Sequence, residues 1–173
     1  MKTTLASLSL IAQVATFACG CGAHVESPAN AASLGEPLTF AFRSLDEKPA
    51  DAESYRGRPL VLSFFSTGDL SSQAQTNFLV VMAGHDAGKV GYLLVALEPA
   101  SQRELIEIYR QTLRVPFAVA IADDRTLAGE SKFGPIPHLP TVIVLDGAGK
   151  LVKRFDGHVA TSQELRSVLR ELK

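Results

Sequence analysis

Apolar positions along the chain fall into two rhythms, short unbroken runs and longer stretches at helical spacing, which predicts strands interleaved with helices. Leu38–Arg43 alternates weakly and reads as an edge strand. After the turn-like Arg56-Gly57-Arg58-Pro59, the run Leu60-Val61-Leu62-Ser63-Phe64-Phe65 has the continuous character of a strand covered on both faces. Ser66-Thr67-Gly68-Asp69 then supplies a turn and an N-cap. From Leu70 to about His85, residues Leu70, Ala74, Phe78, Val81 and Met82 recur at helical spacing and are expected to face the core.

The rhythm continues to the C-terminus. Val90–Leu97 and Phe117–Ile121 are further apolar runs. Between them, Ser101-Gln102-Arg103-Glu104 has the form of a capping box opening a helix that carries Leu105, Ile108, Tyr109 and Leu113. Asp123-Asp124 reads as a turn with a helix cap. Thr141–Leu145 and Leu151–Phe155 flank Asp146-Gly147-Ala148-Gly149, a hairpin signal. Thr161-Ser162-Gln163-Glu164 is a second capping box, and Leu165, Val168 and Leu169 share one face of the helix it opens. This order of strands and helices implies an α/β domain, with a mixed central sheet and helices on both faces.

Composition narrows the class. With 46% hydrophobic and 20% charged residues the chain is of the globular kind, and a net charge of −1 with both signs mixed gives no nucleic-acid footprint and no polybasic membrane patch. At the N-terminus, Lys2 precedes an apolar, small-residue stretch from Leu5 to Ala18. That stretch is too short to span a bilayer and reads as a secretory signal. Residues 1–23 are therefore expected to be a leader, 24–35 a flexible tether and 36–173 the domain. Bacterial lipoprotein signals end in a small residue followed by the cysteine that is lipidated. Ala18-Cys19 and Gly20-Cys21 both offer that, and cleavage after Ala23 with soluble export is the competing reading. These two cysteines are the only ones in the chain, so the domain itself has no thiol.

From about Glu36 onward the chain resembles the thioredoxin-like redoxins of the bacterial envelope, the TlpA-like thiol–disulfide oxidoreductases. Two segments carry the resemblance: Tyr55-Arg56-Gly57-Arg58-Pro59 with the strand and turn through Thr67, and His138-Leu139-Pro140-Thr141 running on to Val152. The resemblance implies a thioredoxin-like fold and a cis bond before Pro140. It also aligns the family's active-site tryptophan with Gly68, its attacking cysteine with Asp69 and its resolving cysteine with Ser72. Thiol exchange needs a thiolate at a helix N-terminus and a second thiol one turn on. A carboxylate and a serine hydroxyl do neither, so the ancestral chemistry is expected to be absent and no catalytic residue is assigned.

Other chemistries are weighed on the same residues. Asp69 and Ser72 read most simply as a helix cap and a first-turn residue. A Ser–His–Asp cluster with His138 is the sharp alternative and requires two specific hydrogen bonds. The copper-delivering assembly proteins that share this fold use two cysteines beside a comparable histidine. One imidazole does not make such a site, so no metal and no cofactor are expected. His24, His85 and His158 lack ligand spacing. The binding candidates are Pro140 with Leu139, Thr141 and His138, whose loop in this family pairs with an extended peptide. Two function classes follow. One is a non-catalytic binding or scaffold domain, its partner an envelope protein or peptide at the former active-site groove and its membrane link a lipid anchor. The other is an enzyme, a redoxin by descent or an unrecognised hydrolase.

Overall fold

The computed structural model describes residues 35–172. The leader, the lipidation candidates Cys19 and Cys21, and nearly all of the expected tether lie outside the described residues. Within them the strands are β1 (Arg43–Ser44), β2 (Leu60–Phe65), β3 (Gly91–Ala96), β4 (Ala118–Ile121), β5 (Thr141–Leu145) and β6 (Leu151–Asp156). The helices are α1 (Leu70–Asp86), α2 (Arg103–Thr112), α3 (Asp124–Leu127) and α4 (Ser162–Arg170), with 3-10 turns at Glu53–Tyr55 and Ala100–Gln102.

One six-stranded mixed sheet runs in the order β1-β4-β3-β2-β5-β6. β3 is parallel to both β2 and β4, β5 is antiparallel to β2, and β6 closes a hairpin with β5. β2 is central and no residue in it exceeds 2% exposure, as its unbroken apolar run requires. Alternate side chains on the strands feed two cores. Val61, Phe65, Leu94 and Val144 pack beneath α1, α2 and α4, which supply Leu79, Met82, Ile106, Tyr109, Leu165 and Leu169. Leu62, Phe64, Val95 and Ile143 face the opposite side.

That second side is closed mainly by irregular chain. Helices therefore lie on both faces but unequally, since only the 3-10 turn at Glu53–Tyr55 and the four-residue α3 flank it. Phe40, Phe42 and Phe133 converge on Phe64, with Phe133 at 5.4 Å from the Phe40 ring and 5.5 Å from the Phe64 ring. Tyr55 seats so closely over β3 that a Cβ at Gly91 would lie 2.4 Å from its ring, and only glycine fits there.

Three local expectations are corrected. Leu38–Arg43 is not a strand. Only Arg43–Ser44 pairs with β4, while Phe42 N and Phe40 O bond to Ala50 O and Ala52 N at 3.0 and 2.9 Å. The segment folds back on residues 50–52, and its alternation serves to aim Leu38, Phe40 and Phe42 at the second core. The Ser101–Glu104 capping box does not form. Pro99 opens a 3-10 turn that takes up Ser101, and α2 starts behind Gln102 with no side-chain cap. The box at Thr161 and Glu164 is complete, with both reciprocal bonds made.

The third correction concerns which faces of α1 and α2 are buried. On α1 the core-facing residues are Ser72, Gln75, Thr76, Leu79 and Met82, while Leu70, Ala74, Phe78 and Val81 face outward. Polar residues are tolerated inside because each is bonded. Gln75 exchanges two bonds with the Ala160 backbone (2.7 and 3.3 Å), and the Thr76 hydroxyl lies 2.9 Å from that of Tyr109. On α2, Ile106 and Tyr109 point in, and Leu105 and Ile108 point out.

Two outcomes follow from this packing. Phe133→Ala removes a ring 1% exposed at the centre of the second core and should cost about 3–5 kcal/mol, read by urea denaturation. Burial pushes Tyr55 and Tyr109 up to about 12, and burial with a hydrogen bond to the Asp86 carboxylate pushes Tyr92 in the same direction. Unfolded tyrosine ionises near pH 10, so between about 10 and 12 the folded chain retains protons that the unfolded chain releases. Stability should fall as pH rises through that window. With three tyrosines and no tryptophan in the chain, tyrosinate absorbance should stay flat until the protein unfolds.

Candidate functional site

β2 ends at the centre of the sheet edge and delivers the turn Ser66–Asp69 to the start of α1. Asp69 is the N-cap, with extended backbone (φ −101°, ψ 121°). Its Oδ2 accepts from the Ser72 backbone N–H at 2.7 Å and from the Ser72 hydroxyl at 2.6 Å. Ser72 is fully buried, and its Oγ also accepts from Ser66 N–H at 3.4 Å. The hydroxyl proton is thus held by the carboxylate, which leaves Ser72 nothing with which to engage an imidazole. Gly68 is exposed at the tip of the turn.

A second carboxylate, missed in the sequence, secures this turn from below. Glu98 follows β3 and is 7% exposed. Its Oε1 accepts from Thr67 N–H (2.9 Å), the Thr67 hydroxyl (2.6 Å) and the Ser66 hydroxyl (3.0 Å), while its Oε2 is buried without a partner among the described residues. Its one sequence signal was an acidic residue closing the apolar run Val90–Leu97. That pattern marks a strand end and says nothing of burial.

The cis Leu139–Pro140 bond lies in the loop that leads into β5. Several contacts position that loop. The Arg154 guanidinium donates to Phe133 O and Pro135 O, each at 2.5 Å, and pairs with Asp156 at 2.7 Å. The Thr141 hydroxyl stands 2.7 Å from His138 O and 3.0 Å from the Asp156 carboxylate. Pro140 O accepts from Gly157 N–H at 3.0 Å. Gly157 has φ +69°, and a Cβ there would meet that of His138 at 2.9 Å, so glycine is required on both counts. Pro140 and Thr141 are buried, Leu139 is half-buried and His138 is exposed.

The arrangement brings Asp69 and Ser72 together and ties His138, Leu139, Pro140 and Thr141 into one loop. No hydrogen bond joins His138 to Asp69 or Ser72 among the described residues, so the hydrolytic constellation is not assembled. No three His, Cys, Asp or Glu side chains converge on a metal-ligand set among those residues. Leu139 N and O enter no hydrogen bond among them either, which leaves one donor and one acceptor free on the loop edge.

No family model matches the chain, and no curated protein matches it. Solved structures do. A thiol:disulfide interchange protein of the thioredoxin family from Chlorobium tepidum TLS shares 18% identity at a TM-score of 0.68, covering 79% of this chain and 94% of its own. A secreted Mycobacterium tuberculosis disulfide oxidoreductase homologous to E. coli DsbE shares 18% at 0.62, covering 77% and 96%. StoA from Bacillus subtilis shares 18% at 0.61, covering 77% and 97%. The described chain is a thioredoxin-fold domain. More particularly, its fold is the one found in these thiol–disulfide oxidoreductases, with Asp69 and Ser72 at the head of the helix that follows the central strand.

Asp69→Cys with Ser72→Cys, in a chain also carrying Cys19→Ser and Cys21→Ser, should form an intramolecular disulfide under mild oxidation, because the two side chains already meet at 2.6 Å across one helical turn. Thiol counting before and after oxidation reads the result. Thiols that stay free would contradict this geometry.

Proposed function

We propose that this chain is an exported, degenerate member of the TlpA-like redoxins that acts as a non-catalytic binding domain, taking an extended protein segment along the loop at Leu139–Pro140. The free N–H and C=O of Leu139 carry the reading. They form a ready edge for one pair of backbone hydrogen bonds with an incoming strand. They lie on the loop that, in the redoxin resemblance, faces the start of α1. The groups at that helix start are already committed to one another. Asp69 Oδ2 and the Ser72 hydroxyl are bonded to one another, and Glu98 holds the turn, which supports a role through shape and backbone.

Export is supported by the leader-like residues 1–23 and by the secreted character named for the Mycobacterium tuberculosis protein of the same fold. Lipidation at Cys19 or Cys21 would hold the domain at a membrane through the stretch 24–35. Among the described residues no helix is long and apolar enough to cross a membrane.

The test is a fluorescence-polarisation screen of unstructured peptides against the full chain, run beside an insulin-disulfide reduction assay. Peptides that bind should lose about tenfold in affinity to Leu139→Pro, which deletes the donor N–H. They should be indifferent to His85→Ala at the far end of α1. A thermal melt establishes that each variant is folded. Binding insensitive to Leu139→Pro in a folded variant would contradict the proposal. So would disulfide reduction that persists in the Cys19→Ser, Cys21→Ser chain.

A further inference from the structure

The candidate site occupies the end of the sheet where β2 and β3 finish. The opposite end, where the same strands begin, carries a groove of about 440 Å³. Its floor is apolar, built from Pro59 before β2, Val90 before β3, and Leu169 and Leu172 at the end of α4. Lys89, Arg166 and Arg170 stand around it. Arg58, next to Pro59, donates to Gly88 O at 3.1 Å and so lies at the same rim. No three basic residues are consecutive anywhere in the chain, and only the fold gathers these four.

Nearby acids do not cancel them. Asp86 lines the groove and is bonded to Arg166 at 3.3 Å and to the Tyr92 hydroxyl. Glu171 is exposed beside Arg170 in the chain. Four cations against these two acids leave the rim positive. Lys89 and Arg170 are exposed, and their side chains enter no hydrogen bond or ion pair among the described residues.

The chain also enters the domain at this end. Leu38 N–H donates to Gly149 O at 2.9 Å, in the turn between β5 and β6, and Gly57 N–H donates to Gly147 O at 2.8 Å in the same turn. Gly57 and Arg58 thus connect the point of entry to the rim of the groove.

We propose that this end of the domain docks on an anionic phospholipid surface, the cations meeting phosphate and the apolar floor meeting acyl chain. Charge and position select the occupant. Lysine and arginine around an apolar floor are what an anionic bilayer attracts. The stretch 24–35 reaches the domain at the same end, so a membrane that holds the N-terminal segment faces the groove. β2 is six residues long, about 20 Å, and sets the Ser66–Asp69 turn on the far side from that surface. Thr141 pairs with Phe64 near the end of β2, so the Leu139–Pro140 loop points away as well and stays open to a partner. The contact shares the membrane-side location proposed above but does not need the lipid itself.

The test is co-sedimentation of the full chain, carrying Cys19→Ser and Cys21→Ser, with vesicles of equal parts phosphatidylglycerol and phosphatidylcholine. Binding should exceed that to pure phosphatidylcholine and should weaken with salt. Lys89→Gln with Arg170→Gln should lower the partition coefficient roughly twentyfold, about fivefold for each cation lost. Arg125→Gln with Lys132→Gln removes the same charge on and beside α3 and should bind as the parent does. All variants share the leader-like residues 1–23, so differences between them belong to the groove. Lys89→Arg with Arg170→Lys should retain binding, and thermal melts establish that each variant is folded. Equal binding to the two kinds of vesicle would overturn the proposal. A Lys89/Arg170 glutamine pair that binds like the parent would overturn it, and so would equal losses in the two glutamine pairs. Poly-glutamate captured through Lys89 and Arg170 by a chain indifferent to phosphatidylglycerol would put an acidic protein there and overturn the lipid.

Discussion

A strand buried on both faces imposes the plan of this molecule. β2 exposes almost nothing, so its two sets of side chains require two separate covers, and everything else is arranged to supply them. Three helices cover one side, where regular packing of Leu79, Met82, Ile106 and Leu165 fills the space. The other side is covered by chain with little regular structure, whose Phe40, Phe42 and Phe133 make up in area what it lacks in periodicity. Because β2 is central, its end is also where the Ser66–Asp69 turn and the head of α1 emerge. The site is placed by the same constraint that builds the core.

At that head the helix needs acceptors for its first N–H groups. A thiolate in a redox-active protein of this fold supplies negative charge there and remains available to react. Asp69 supplies charge and closes on Ser72 through its Oδ2, so the same physical need is met by a carboxylate. Glu98 adds a second carboxylate from beneath, and its three bonds to Ser66 and Thr67 make the turn rigid. What remains exposed is apolar surface along α1, at Leu70, Phe78 and Val81.

α1 shows why the two kinds of surface have to be told apart. Its wheel has an apolar stripe at Leu70, Ala74, Phe78 and Val81 and a mixed stripe through Ser72, Gln75, Thr76 and Leu79. By hydropathy alone the first should face the core. It faces solvent because the second makes bonds that only neighbouring elements can offer, Gln75 to Ala160 and Thr76 to Tyr109. Removing those groups from water without partners would cost more than exposing the outer stripe. A buried polar stripe that is fully bonded leaves an apolar one outside.

The order of the main elements from β2 onward, the bounds of β2, β5 and α1 to within a residue, the N-cap at Asp69, the Thr161 capping box, the hairpin at Asp146–Gly149 and the cis bond at Pro140 were legible in the chain or in its resemblance to the redoxins. These rest on short-range rules, in which a residue's own backbone preference and its neighbours three or four places away decide the outcome. The fold-back of Leu38–Phe42, the takeover of Ser101 by a 3-10 turn, the outward turn of the α1 stripe and the burial of Glu98 were not legible. Each depends on which distant groups arrive opposite a side chain: residues 50–52 for Phe40, Ala160 for Gln75, Thr67 for Glu98. The sequence by itself determined most of the elements and the absence of a cysteine from residues 24–173, because both follow from residue identity in place. Only the tertiary structure decided which faces are covered and which polar groups are satisfied, because those follow from partners that lie tens of residues away along the chain.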